Sequence, residues 1–458
     1  MKTKSEFLRK AAVKAGDKTH RAKILKAITT YTGKVEGMKS AQYYDWQQAR
    51  SFAEQTKNYV LRHLPDLLEQ FERNITTNGA QVLWAEDAAE AREHIRRIFR
   101  ERKVRKVVKS KSMTTEEIEV NELLEGEGIE VLESDLGELI VQLAGEKPYH
   151  IVTPAMHKSR QDIAALFHEK LGVPASSSAE ELTMAARGHL RSAYVTADAG
   201  ITGANFLLAE GAIVMTENEG NGRLTMSCPP VHVVIAGIEK ILPAMENLAL
   251  FLPLLTTSGT GQQITCYNSV VRGPRAAGEQ DGPQEMIVIL LDNGRSAMYA
   301  EPEFQHALRC IRCGACLNAC PVYRTVGGHA YGTTYQGPIG SVITPHMRGM
   351  AQFSHLSSAS SLCGACTQVC PVQIDLHHLL LKNRAKATEE KRGVDLWQVG
   401  FAGWAKVMTS RKRLEGVRRL AVAGEASLRV ILPHALRKRL PVPAKKSFAR
   451  QWQEGAEH

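Results

Sequence analysis

The chain has 458 residues, 43% of them apolar and 23% charged, with nine cysteines. That is long enough for two or three cores and too apolar for a disordered chain, and no run of roughly eighteen apolar residues is present to cross a bilayer. The net charge is +10, yet residues 1–40 carry 11 Lys/Arg against 3 Asp/Glu and residues 382–450 carry 18 against 5, so the body between them is mildly acidic.

Basic extensions of this kind suit an acidic partner protein, an acidic lipid surface or nucleic acid, or simply form a solvated helical surface. The basic start lacks the apolar stretch and small-residue cleavage site of an export signal, so a soluble cytoplasmic protein is expected. Residues 4–78 read as helices, with an apolar stripe of Tyr43, Trp46, Phe52, Tyr59, Leu64, Leu67, Leu68 and Phe71. From residue 80 the pattern changes to short β-rich runs alternating with helical ones. Strands are expected at 81–84, 106–108, 128–132, 150–153, 193–196, 211–215, 232–235 and 286–291, with helices near 87–102 and 115–126. This alternation predicts an α/β fold, a largely parallel sheet covered by helices.

Ligands of open α/β sheets bind beyond the carboxyl ends of the strands. Two sets of polar loops are candidates: Lys109 to Met113, and Thr202 to Asn205 with Glu210 and residues 218–223. Residues 218–222 are also an ordinary turn-forming composition whose glycines would serve positive-φ positions, and a structural role is the favoured reading of each loop. Neither a G-x-G-x-x-G dinucleotide fingerprint after a strand nor a G-x4-G-K-[ST] phosphate loop is present, so nicotinamide chemistry and nucleotide hydrolysis are unsupported.

Residues 304–309 read as a helix that delivers Cys310. Cys310, Cys313, Cys316 and Cys320, followed by Pro321, form the C-x2-C-x2-C-x3-C-P run of a cubane iron-sulfur site, in which the fourth thiolate crosses to a second cluster. A second run follows at Cys363, Cys366, Cys370 and Pro371, with Ser360 where its leading cysteine would stand. Paired C-x2-C units also bind zinc, but the third step, the C-x3-C-P ending and the near repeat of the whole favour clusters. Electron transfer is the expected chemistry. The segment 323–348 between the runs reads as an irregular insertion that covers a cluster or presents a docking surface. Residues 374–384 read as a helix carrying His377 and His378 at its surface. The last seventy residues read as basic helices broken by Pro433, Pro441 and Pro443. Cys228 and Cys266 are isolated in sequence, so no disulfide framework is implied. The expected organisation is a helical region (1–78), an α/β domain (79–295), a two-cluster ferredoxin-like domain (296–385) and a basic helical region (386–458).

The cysteine runs with their neighbours at 310–323 and 361–372, and the stretch 201–214, resemble the lactate-utilisation protein B (LutB) family over nearly the whole chain. The resemblance implies an α/β part similar to the sugar-isomerase and CoA-transferase-like fold. It implies a cytoplasmic iron-sulfur protein that acts with LutA-like and LutC-like proteins in oxidising L-lactate to pyruvate, the final electron acceptor being unspecified. It further implies two 4Fe-4S clusters, one held by Cys310, Cys313, Cys316 and Cys370, the other by Cys320, Cys363 and Cys366. Ser360 is the candidate eighth ligand; an outside thiol, a water or a 3Fe-4S form would serve instead, Cys228 is a less favoured candidate, and a helix cap is the alternative role for this serine. In a second reading the α/β domain itself binds a small acid or thioester through Lys109, Asn205 or Glu210, with the clusters as electron outlet. A third reading makes the chain a scaffold whose basic ends contact membrane or nucleic acid; nucleic acid is not expected, and peripheral membrane contact is left open.

Overall fold

The computed structural model describes residues 2–390, 396–431 and 444–455. Residues Met1–Glu389 form one compact unit and Glu390–His458 a second.

The first unit is built on a six-stranded sheet of β1 (Gln81–Ala85), β2 (Lys106–Lys109), β3 (Glu130–Glu133), β4 (Ala199–Thr202), β7 (Val231–Gly237) and β10 (Glu285–Leu291). Its order is β1-β10-β7-β4-β2-β3, and every neighbouring pair is parallel. Parallel strands joined by helical crossovers are covered on both faces, so their sequences run apolar without alternation. In β10, Ile287, Ile289 and Leu291 pack with Ile95, Ile98 and Phe99 of the helix Ala88–Glu101. Met286, Val288 and Leu290 point the other way, against Leu64, Leu67, Phe71 and Ile75 of the helix Leu64–Thr77.

A second sheet, β8-β5-β6-β9, is formed by β5 (Phe206–Leu208), β6 (Ala212–Glu217), β8 (Ile241–Leu242) and β9 (Tyr267–Val271). It is mixed, with β6 antiparallel to both neighbours and β5 parallel to β8. The run 211–215 is thus a strand, but of this smaller sheet. Two expected strands do not form. Residues 193–196 are the last turn of the helix Ala179–Thr196, which starts from a Ser178 capping box, and the strand follows it as β4. A four-residue apolar run has the same composition at a helix end as in a buried strand, so periodicity does not separate them. Residues 150–153 are a loop, because the His150 Nδ1 accepts the Val152 and Thr153 amides that a sheet ladder would need.

Four helices precede the sheet, Lys2–Gly16, Lys18–Gln42, Trp46–Arg62 and Leu64–Thr77. Asp17 and Asp45 open the second and third by accepting amides of the first turn. The apolar stripe is buried only over Leu64 to Phe71; Phe52 and Tyr59 are exposed. The helix Trp46–Arg62 instead buries Arg50, Ala53, Lys57, Val60 and Leu61.

The expected helix at 304–309 is a short 3-10 turn, Gln305–Arg309, leading into Cys310. Residues 323–348 are not irregular: Pro321–Val326 and Gly337–Arg348 are helices. Pro338 sits in the first turn of the latter, where its missing N–H is harmless. Ile339, Val342 and Ile343 are buried at helical spacing, and the surrounding glycines and prolines hide that period in the sequence. The helix Leu376–Glu389 closes the unit.

The second unit contains the helices Leu396–Met408, Arg411–Ile431 and Phe448–Gly455, with Arg418 donating to the Lys445 carbonyl at 2.5 Å. Pro433, Pro441 and Pro443 lie outside the described residues. Among the described residues no helix is long and apolar enough to cross a membrane.

Candidate functional site

The two cysteine runs repeat a backbone conformation as well as a spacing. Arg312 and Leu362 take left-handed φ of 62° and 55°, and Gly314 and Gly364 follow at 79° and 80°. Each glycine opens a short helix, Ala315–Ala319 or Ala365–Gln368. A left-handed non-glycine residue costs of order 1–2 kcal/mol, which the turn recovers by aiming amides inward. The Arg312 amide donates to Cys310 Sγ at 3.4 Å, and the Leu362 amide donates to Ser360 Oγ at 3.1 Å. Ser360 therefore occupies the place of Cys310 in the second repeat. It is not the cap of the following helix, whose N-cap is Gly364.

Other amides serve the remaining thiols: Ala315 for Cys313, Ile339 for Cys316, Val322 and Tyr323 for Cys320, Ala365 for Cys363, and Thr367 for Cys366. Ile374 donates to Cys370 Sγ at 3.3 Å. Electrostatics separates the sulfurs into two sets. Burial pushes up Cys313, Cys316 and Cys370, the last to about 11, and charge on Cys310 raises all three further. Burial also raises Cys320, and Cys366 to about 11, where the mutual influence is among Cys320, Cys363 and Cys366. Cys363 is exposed, and its thiol is lowered by the Ala365 amide.

These residues fit iron-sulfur clusters. Sulfur donors ringed by peptide N–H groups match the needs of a cluster's electron-rich sulfurs, and buried thiols lose their protons when a metal takes the place of the proton. Positive side chains surround the first set. Arg50 donates to the Cys370 carbonyl at 2.9 Å. Lys57, pushed down to about 8 by burial, donates to the Glu239 carbonyl at 2.6 Å. Arg312 pairs with Glu239 at 3.0 Å and lies over the Tyr335 ring. Burial opposes ionisation of Glu239, but Arg295 and Arg312 hold its carboxyl at about 2.

A cavity of about 870 Å³ opens beyond β2 and β4 and reaches the first set, with Cys313, Arg312 and Lys240 among its lining. Lys111, Asn205 and Glu219 line it as well. The polar loops expected to hold a ligand thus gather around one space. Individual residues sort differently. Asn205 lines the cavity and accepts the Thr216 amide at 2.9 Å. Lys109 is buried below it, paired with Glu133 at 2.7 Å and Glu116 at 3.0 Å. Glu210 accepts the Met245 amide at 2.9 Å and is not part of the lining. Burial and neighbouring Asp135 raise Glu219 to about 7.

Cys228 and Cys266 are exposed and belong to neither thiol set. His377 meets Thr367 Oγ1 at 2.8 Å, and exposed His378 meets Asp375 at 2.5 Å. Sequence reading missed Arg50, Lys57 and Lys240, which look like ordinary helix or loop cations until the chain folds.

Comparison with known proteins follows the same division. Residues 68–291 match the LUD domain and residues 306–374 the 4Fe-4S dicluster domain. The chain is similar to proteins named lactate utilization protein B. That of Geobacillus thermodenitrificans is 47% identical over 348 residues, 76% of this chain and 73% of its own. That of Bacillus velezensis is 46% identical over 349 residues, with the same coverage of each chain. That of Oceanobacillus iheyensis is 41% identical over 424 residues, 90% of this chain and 88% of its own.

Proposed function

The chain belongs to the lactate utilization protein B family, and on that premise we propose that it is the iron-sulfur electron-transfer component of a cytoplasmic assembly oxidising L-lactate to pyruvate. The observation that carries this reading is the gathering of seven thiols into two sets, each ringed by amide donors. One 4Fe-4S cluster is assigned to Cys310, Cys313, Cys316 and Cys370. The other is assigned to Cys320, Cys363 and Cys366, with Ser360 as the eighth ligand or the cluster in a 3Fe-4S form. Once bound, each cluster takes up and releases one electron.

The chain's own residues set the direction and access. Lys57, Lys240 and Arg312 lie close enough to Cys310 to be influenced by its charge, and they favour added negative charge at the first site. Exposed Cys363 puts the second site at the surface, where LutA-like and LutC-like proteins are the proposed partners. The basic ends are available to an acidic partner or membrane surface. A second reading, with a small acid or thioester bound by the α/β part and the clusters as its outlet, is favoured by the cavity against Cys313.

Anaerobic purification with iron and sulfide counting, then EPR of the reduced protein, tests the assignment. About eight iron and eight sulfide per chain, with two interacting signals, is the expected result. Zinc as the main bound metal, or no iron after anaerobic reconstitution, would remove the electron-transfer role.

A further inference from the structure

We propose that Glu146, His157 and His329 form a binding site for a divalent transition metal of the zinc class, which would clip the α/β part of the chain to the segment between the cysteine runs. One nitrogen of each ring and a carboxylate oxygen lie within 4.8 Å of one another. Glu146 and His157 belong to the stretch that follows the helix Leu136–Leu143, and His329 to the 3-10 turn Gly328–Ala330. Two imidazoles with one carboxylate suit zinc and its neighbours in the transition series rather than magnesium or calcium, which take oxygen ligands.

Hydrogen bonding fixes which nitrogens carry lone pairs. The His329 Nε2 meets the Lys147 carbonyl at 2.7 Å, and a carbonyl only accepts, so the proton is on Nε2 and the lone pair on Nδ1. The His157 Nε2 donates to Glu146 at 2.6 Å, while its Nδ1 is buried with no partner among the described residues. A proton on that Nδ1 would be a buried donor without an acceptor, so it too carries a lone pair. Imidazoles held through one nitrogen by a carbonyl or carboxylate, with the other left open, are oriented as metal ligands are. Packing fixes the ring planes as well. The His157 ring stacks on buried Tyr149 with centroids 4.6 Å apart, and His329 stands edge-on to both at 4.9 Å. The Tyr149 hydroxyl is tied to His20 at 2.8 Å, and its carbonyl accepts from the Tyr323 hydroxyl at 2.8 Å. Gly328 lets the turn of His329 come this close, since a Cβ there would lie 1.7 Å from the Tyr149 carbonyl oxygen. Glu146 Oε1 pairs with Lys158 at 2.7 Å, and each carboxylate oxygen has a further lone pair for a cation. Lys14 and Lys158 oppose that cation, and no thiol is among the charges that the two rings feel most, which sets this cluster apart from both sulfur sets.

The test uses the full chain, isolated anaerobically with its iron counted and then titrated with zinc. Metal analysis reads occupancy, and zinc X-ray absorption reads the donor atoms. About one zinc per chain is expected beside the cluster iron, with nitrogen and oxygen neighbours at about 2.0–2.1 Å and no sulfur at about 2.3 Å. His329→Gln keeps an N–H for the Lys147 carbonyl, and Glu146→Gln keeps an acceptor for His157. Both should therefore retain the fold and the iron, while each weakens zinc binding at least tenfold. A chelator should lower the thermal midpoint of the zinc-loaded parent and leave that of His329→Gln unchanged. Sulfur in the zinc shell overturns the site, since the metal then sits in a cysteine run. Zinc binding indifferent to both substitutions, or no saturable binding, overturns it as well and leaves the three side chains as a hydrogen-bonded clasp. Iron is read in the same samples, so failure of the electron-transfer reading and failure of this site are told apart.

Discussion

Ser360 departs from the repeat in chemistry but not in position, since its Oγ accepts the Leu362 amide as Cys310 Sγ accepts that of Arg312. A serine oxygen is a harder and poorer iron ligand than a thiolate and must lose a proton to bind well. One iron of the second cluster should therefore be labile. Oxygen exposure is expected to produce a 3Fe-4S EPR signal from that site while the first cluster persists, and Ser360→Cys should slow the conversion. An unchanged spectrum and oxygen sensitivity in Ser360→Cys would place the side chain away from the iron. The crossed assignment gives a second expectation: Cys370→Ser damages the cluster of Cys310, Cys313 and Cys316, and Cys320→Ser damages the other. Loss of the first cluster alone on Cys320→Ser would refute the crossing. At this scale the cysteines are legible because their spacing is local. Arg50 and Lys57 are not, because they acquire their roles from Cys370 and Glu239, far along the chain.

The helix Gly337–Arg348 was hidden by its own glycines and prolines, yet it supplies the Ile339 amide to Cys316. Gly340 shows why its composition is so unusual: a Cβ there would meet the Tyr335 carbonyl oxygen at 2.1 Å. Gly340→Ala should shift the helix away from Cys316 and destabilise the protein by about 2 kcal/mol or more, the scale of overpacking in a tight interior. Thermal unfolding with cluster absorbance as a second probe checks this; a variant with parental stability and cluster content would show that the helix is free to adjust. The parallel strands, by contrast, were readable, because β7 and β10 are buried along nearly their whole lengths and are dominated by β-branched and aliphatic residues, with His232 the one polar residue inside β7. The misread runs were those whose ends are decided by tertiary partners: the close of the helix Ala179–Thr196 and the His150 loop.

For the molecule as a whole, acid is a specific threat. Burial holds His20 and His157 at about 4, and His150 and His232 at about 3, all below the usual 6.5. Because the folded values are depressed, the unfolded chain binds more protons below pH 6.5. Stability is then full above that value and falls as pH drops towards the folded values. Thermal midpoints should decline between pH 7 and pH 5, before the cluster absorbance is lost; a flat profile over that range would contradict neutral buried imidazoles. On the proposed reading, function is shared with partner proteins. The purified chain alone should not oxidise lactate with an artificial acceptor, and robust turnover without LutA-like or LutC-like partners would move the chemistry into the cavity. Composition showed that the charge is polarised between ends and body, but not that the N-terminal helices share one compact unit with both the sheet and the cysteine runs.

That shared unit has a consequence for how the protein is made. Arg50 donates to the carbonyl of Cys370, a partner 320 residues away, and Thr3 reaches the carbonyl of Gln352 across 349. Contacts of such separation close late and slowly, since the loop entropy precedes the reward. During synthesis the helices carrying Thr3 and Arg50 emerge well before their docking surface near Gln352 and Cys370 has been translated. The crossed sulfur sets share that timing, because neither assigned set is complete until the second cysteine run has been translated. Metal loading is then a step that follows translation of the second run, and on the proposed assignment a chain terminated before Cys370 would leave the first cluster one thiolate short and Arg50 without its partner.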